Sequence, residues 1–120
     1  MRIAIMQPYF FPYAGYFRLF AATDLFVMYD CVQFPRRGWV HRNNFPDANG
    51  KPTWLTLPLA KACRDVRIDA LSFAPGAEAQ MGAQVSRFPS LAAADPDHPV
   101  MKAFGTFDGA SPVHYLERTL

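Results

Sequence analysis

The side chains best equipped to hold a small molecule are crowded near the start of the chain. Gln7, Tyr9, Tyr13 and Tyr16 are interleaved with Phe10, Phe11 and Phe17, and Pro8 and Pro12 stiffen the run. An ordinary connecting loop is polar. This one is apolar, and its few polar ends, an amide and three phenols, need partners wherever they are buried. Two arrangements satisfy the pattern: a loop that lines a ligand cleft, or an aromatic plug over the core. A phenol, with a pKa of about 10, offers a hydrogen bond at neutral pH but no charge. The chemistry suggested is binding of a nucleotide or sugar.

Further along, Asp30 is the candidate catalytic group. A carboxylate at the carboxyl edge of a strand can orient a sugar hydroxyl, accept a proton or bind a metal. Gln33 is a neutral hydrogen-bonding neighbour. Trp39, Arg42 and Asn43 form a third group. The planar fork of arginine suits phosphate or carboxylate, asparagine offers both a donor and an acceptor, and tryptophan stacks on a sugar or base. The plain alternatives are a turn residue for Asp30 and an ordinary strand charge for Arg42. Arg36 and Arg37 read as solvated. His41 should point to the opposite face of its strand from Arg42 and takes no role. His98 and His114 read as surface residues, and Cys31 as a buried, inert thiol. No Ser-His-Asp arrangement and no zinc-like spacing is present, so no metal is assigned and the cofactor is unknown.

The elements that must position these groups follow from periodicity. Arg2–Met6 and Leu25–Tyr29 read as buried strands, and Gly15–Ala22 as a short helix between them. Strand, loop, helix and strand in that order predict a right-handed parallel crossover. It would place the aromatic loop and Asp30 on one carboxyl edge, where open α/β sheets bind ligands. Trp39–Phe45 and Thr53–Leu57 flank Asn49-Gly50, a strong hairpin signal. Arg67–Leu71 reads as a further short strand and Ala77–Phe88 as a helix. Pro89–Pro99 reads as a loop, with Asp97 capping a short helix that begins near Pro99. Ser111-Pro112 marks the start of a last helix, Val113–Leu120. The fold class expected is α/β: a small Rossmann-like, partly parallel sheet opening with a βαβ unit, then a β-hairpin and short C-terminal helices.

Length and composition bound the rest. With 120 residues, half of them hydrophobic and few charged, the chain is expected to fold as a single domain, 1–120. Two cysteines make no disulfide framework. Arg2 is followed by too short an apolar run for a signal peptide, and no run reaches the length of a membrane span. The expectation is a reduced, cytoplasmic protein without a membrane span. Residues 36–67 carry seven Lys or Arg against two Asp, a balance that suits a small anionic ligand. The basic residues are not interleaved with aromatics as in single-strand binders, so nucleic acid is not expected. A small α/β domain can expose apolar surface, which leaves room for a homodimer.

Five segments in order carry a likeness: Ile3 to Phe17, Asp24 to Asp30, Val32-Gln33-Phe34, Trp39 to Asn43, and Trp54-Leu-Thr-Leu-Pro58. Together they resemble the WbqC-like family. The pattern there is a strand ending in Gln, an aromatic Pro-Tyr/Trp-x-Gly-Tyr-Phe loop, Tyr-Asp-Asp-Val-Gln, Trp-x-x-Arg-Asn and Trp-Leu-Thr-Leu-Pro. The likeness covers residues 1–60. Where the family has two adjacent acids this chain has Asp30-Cys31. Family members are expected to be longer, with a mostly helical second half, so residues 61–120 read as a divergent or truncated remainder. The resemblance implies a bacterial protein linked to surface-polysaccharide (O-antigen, lipopolysaccharide) gene clusters. In layout, Tyr13-Ala-Gly15-Tyr16 also stands where nucleotidylyltransferases carry His-x-Gly-His, with phenols in place of imidazoles.

Two functions are therefore expected in competition. One is a transferase using a nucleotide sugar or an acyl or amino-acyl donor. The other is a non-catalytic ligand-binding or accessory module of the same fold.

Overall fold

The structure, a computed structural model, describes all 120 residues. The chain opens with strand β1, Ile3–Met6, then helix α1, Ala14–Ala22, then strand β2, Leu25–Met28. The strands pair in parallel, Ile3 with Leu25 through Met6 with Met28, as the crossover pattern predicts. The amide of Arg2 donates to Asp24 Oδ2 at 2.7 Å and fixes the register from below. Thr23 closes α1 by donating to the Leu19 carbonyl at 2.6 Å.

Helix α1 covers one face of this sheet. Phe20 stacks on Phe26 with ring centroids 3.9 Å apart, and Tyr16 lies 5.7 Å from the same ring. Nothing covers the other face. Ile3, Ile5, Leu25 and Val27 are all exposed. The expectation of two buried strands is thus corrected: each is covered along one side only, and of their residues Ala4 alone is buried. Alternate side chains of a strand point to opposite faces, and a sheet of two strands with one helix has only one face to hide.

The hairpin forms as the sequence predicts. Strand β3, Arg42–Pro46, pairs antiparallel with β4, Pro52–Thr56. Asp47 Oδ1 accepts from the amides of Asn49 and Lys51, and Gly50 takes the left-handed φ of +78° that the turn requires. Leu55 and Leu57 point inward and are fully buried, while Trp54, just before them, faces out.

The core joins the aromatic loop to the hairpin and the C-terminal helices through Phe10, Leu55, Ile68, Met81 and Tyr115. The second half departs from expectation in four places. Arg67–Leu71 is not a strand. Ile68–Ala70 makes a single 3-10 turn, tethered to the 30–34 segment by the Gln33–Arg67 bridge and by the amides of Ile68 and Asp69, which donate to the carbonyls of Val32 and Asp30. The Arg67 side chain pairs locally with Asp69 at 2.6 Å, and Ala and Asp are poor strand formers. Helix α2, Ala77–Val85, stops short of Phe88, because Pro89 follows and the chain turns off. Within the expected loop, Pro89–Ala92 forms the one-turn helix α3 with proline at its first position. Helix α4, Pro99–Gly105, is capped by His98, whose Nδ1 accepts from the Val100 amide at 3.2 Å. Asp97, the expected cap, instead lies 3.6 Å from the Lys102 ammonium. Helix α5, Pro112–Thr119, starts as predicted, with Ser111 Oγ accepting from the His114 amide.

Candidate functional site

The aromatic loop is held open by three ties. The Tyr16 hydroxyl, at the first turn of α1, donates to the Gln7 carbonyl at 2.7 Å. That ring is wholly buried, and burial pushes its pKa up to about 12, so it is a permanent neutral donor. The Phe10 amide donates to the Trp39 carbonyl at 3.1 Å and joins the loop to the segment before β3. The Asn43 amide nitrogen donates to the carbonyls of Phe10 and Phe11, while its oxygen accepts from the Asn44 amide at 2.7 Å. This clamp matters because Phe11 sits at φ +46°, a conformation that bulky residues avoid. Its ring is pinned too, stacked on Phe104 with centroids 3.6 Å apart. Gly15 sets the last wall. A Cβ there would come within 2.5 Å of the Tyr13 ring, so only glycine lets that ring fold back over the start of α1.

Between these ties lies an open cleft of about 460 Å³. It is lined by Tyr9, Tyr13, Trp39 and Asn43, with Met6, Phe10 and Pro12 as its apolar floor. Tyr13 stands at the rim, 68% exposed. The hydroxyls of Tyr16 and Tyr115 are bonded within the protein, whereas those of Tyr9 and Tyr13 and the Trp39 indole N–H are not. The cleft therefore presents three free polar ends on an aromatic surface. No charged side chain lines it.

The other sequence-singled residues lie elsewhere. Tyr16 supports the cleft from behind, its ring 5.4 Å from that of Tyr9. Gln7 contributes its backbone carbonyl to that support. Gln33 Nε2 donates to the Arg64 carbonyl at 3.0 Å and braces the 62–67 loop. The Arg42 guanidinium lies 4.0 Å above the Trp54 ring, and its Nε donates to the Gly38 carbonyl. Trp54 in turn lies 5.5 Å from Trp39, so Arg42 flanks the cleft without lining it.

Asp30 also stands apart. Its carbonyl accepts from the Asp69 amide at 3.0 Å, which turns the chain beneath α5. Its carboxyl meets Glu117 of that helix. Burial first, then the hydrogen bond to Asp30 and its charge, raise the Glu117 pKa. The loop and Asp30 follow the carboxyl ends of the parallel strands β1 and β2, as expected, but Asp30 does not line the cleft. The acid after β2 is drawn toward a helix that lies far away in sequence.

Several features escaped the sequence reading. Cys31 is exposed, as is Cys63, and both are free thiols, which corrects the expectation of a buried Cys31. Arg36 is not merely solvated, since it donates to the carbonyls of Ala62 and Cys63. His41 packs edge-on against Phe34, and its Nδ1 is buried without a partner. Burial above all, then the Arg42 and Arg36 charges, pull its pKa down to about 4. No short-range pattern announces these contacts. No three His, Cys, Asp or Glu gather in a way that could hold a metal, and no helix is long and apolar enough to cross a membrane.

Against known proteins, the profile of the WbqC-like protein family matches residues 7–85, continuing beyond residue 60 to the end of α2. An uncharacterised Mycobacterium tuberculosis protein, Rv1507c, is 38% identical over 58 residues. That stretch is 48% of this chain and 25% of the length of the relative. No solved structure matches.

Proposed function

The chain belongs to the WbqC-like protein family, and on that premise we propose that it is a ligand-binding domain of bacterial surface-polysaccharide assembly. Its cleft takes the saccharide or nucleoside end of a nucleotide sugar. The observation that carries this reading is the convergence of Tyr9, Tyr13 and Trp39, with their polar ends free, on one neutral concavity. Indole and phenol faces suit the C–H faces of a sugar or the plane of a base, and the hydroxyls suit its polar edge. With no cation in the lining, the walls hold the ring end of such a ligand and leave its phosphates in solvent. Exposed free thiols at Cys31 and Cys63 fit a reducing cytoplasm.

The binding-module reading is favoured over the transferase because no carboxylate, imidazole or thiol lines the cleft. The transferase, acting on a nucleotide sugar or an acyl or amino-acyl donor, would draw on Asp30. The observation on its side is that Asp30 meets Glu117, a second acid from outside the sequence motif.

Thermal shift with UDP-glucose, UDP and glucose tests the proposal. At least one should raise the Tm, and Tyr13→Ala and Trp39→Ala should each remove the shift. Both side chains are exposed, so neither change should unfold the domain. If no compound shifts the wild type, or the shift survives both substitutions, the proposal fails. Release of UDP that depends on Asp30 would move the assignment to the transferase.

A further inference from the structure

A separate, open hollow of about 380 Å³ shares no lining residue with the aromatic cleft. Its floor is apolar and includes Phe34, Leu57, Leu59 and Leu71. Its polar groups are Arg36, His41, Thr56 and Lys61, and no carboxylate lines it. Neither cation has an acidic partner, because the ion pairs of the chain join Arg67 with Asp69 and Lys102 with Asp97.

The hollow is open, so selection rests on where its donors are held. The Arg36 guanidinium is fixed: Nη2 donates to the Ala62 carbonyl at 3.1 Å and the Cys63 carbonyl at 2.7 Å, while Nε and Nη1 make no bond within the protein. Gln84 engages only the backbone of Thr56 and leaves its hydroxyl unbonded. His41 packs edge-on against Phe34, and its Nδ1 is buried without a partner. Burial, then the Arg42 and Arg36 charges, keep this imidazole neutral. What this corner of the molecule lacks is negative charge.

From the fixed guanidinium, the unpaired ammonium and the orphaned imidazole gathered over an apolar floor, we propose that this hollow binds a small phosphate monoester. The phosphate meets Arg36 and Lys61, and the organic group of the ester rests on Phe34 and Leu57. Such a phosphate carries close to two negative charges at neutral pH and accepts several hydrogen bonds at once, which matches two cations without a carboxylate. The site stands independently of the reading of the aromatic cleft.

Proton NMR of the three histidine rings tests this, with phenyl phosphate, inorganic phosphate or phenol added to the full chain in low-salt buffer at pH 7.5. Phenyl phosphate should move the His41 signal saturably and leave in place those of His98 and His114, which lie outside the hollow. Inorganic phosphate should bind about fivefold more weakly, and phenol should leave His41 unmoved. The Lys61 side chain is exposed and has no ion-pair partner, so Lys61→Glu should weaken phenyl phosphate about tenfold or more while the Tm holds. Arg37→Glu makes the same change of charge outside the hollow and should alter the affinity less than about twofold. A His41 signal that phenyl phosphate does not move, movement of all three signals together, equal binding of phenol or inorganic phosphate, binding that survives Lys61→Glu, or an equal loss on Arg37→Glu would each overturn the proposal.

Discussion

Phe11 shows how one residue can be held against its preference. A bulky residue at φ +46° carries strain on the order of 1–3 kcal/mol. Asn43 restrains it by donating to two successive carbonyls, and Phe104 restrains it by stacking. Removing the amide leaves those carbonyls short of a donor. Asn43→Ala should therefore cost about 1–3 kcal/mol in urea denaturation and weaken any ligand of the aromatic cleft in parallel. His41 supports a second prediction. Unfolded, it takes up a proton near its ordinary pKa of 6.5, but folded only near 4. Between those values the unfolded state binds more protons, so stability falls as pH drops from 6.5 toward 4. The Tm of the wild type should fall more steeply across that window than that of His41→Phe. At this scale the sequence was partly legible. Tyr9, Tyr13, Trp39 and Asn43 could be picked out because their types suit binding and their segments are neighbours in the fold. Asp30 and Arg42 looked equally suitable, yet Glu117 and Trp54 engage them. Those partners arrive by tertiary packing that local spacing does not encode.

At the scale of elements, Gln84 acts as a strand partner made from a side chain. Its Oε1 accepts from the Thr56 amide at 3.1 Å and its Nε2 donates to the Thr56 carbonyl at 2.8 Å. The fork satisfies both backbone groups on the free edge of β4 and docks α2 onto the hairpin. Gln84→Ala should cost about 1–3 kcal/mol and speed hydrogen exchange at the Thr56 amide, while Gln84→Glu should restore only the acceptor half. The strand–helix–strand opening and the hairpin were legible because apolar runs, Pro8 and Asn49-Gly50 punctuate them locally. The 3-10 turn at Ile68–Ala70 and the one-turn helix at Pro89–Ala92 were not. Both are too short for periodicity to register: the Arg67–Asp69 pair borders the first, and Pro89 opens the second.

For the whole molecule, the bare face of the β1–β2 sheet is the outstanding feature. Ile3, Ile5, Leu25, Val27 and Tyr29 are exposed together along it. No charged residue interrupts these strands. The central claim, however, is the aromatic cleft, and its two tryptophans give the most direct test. In a Trp54→Phe background, Trp39 is the sole indole and lies in the cleft wall. Titration with UDP-glucose should quench its fluorescence saturably, and Tyr13→Ala should abolish the quench. An emission spectrum unchanged to about 10 mM, weaker than any affinity a useful site would have, would contradict the account.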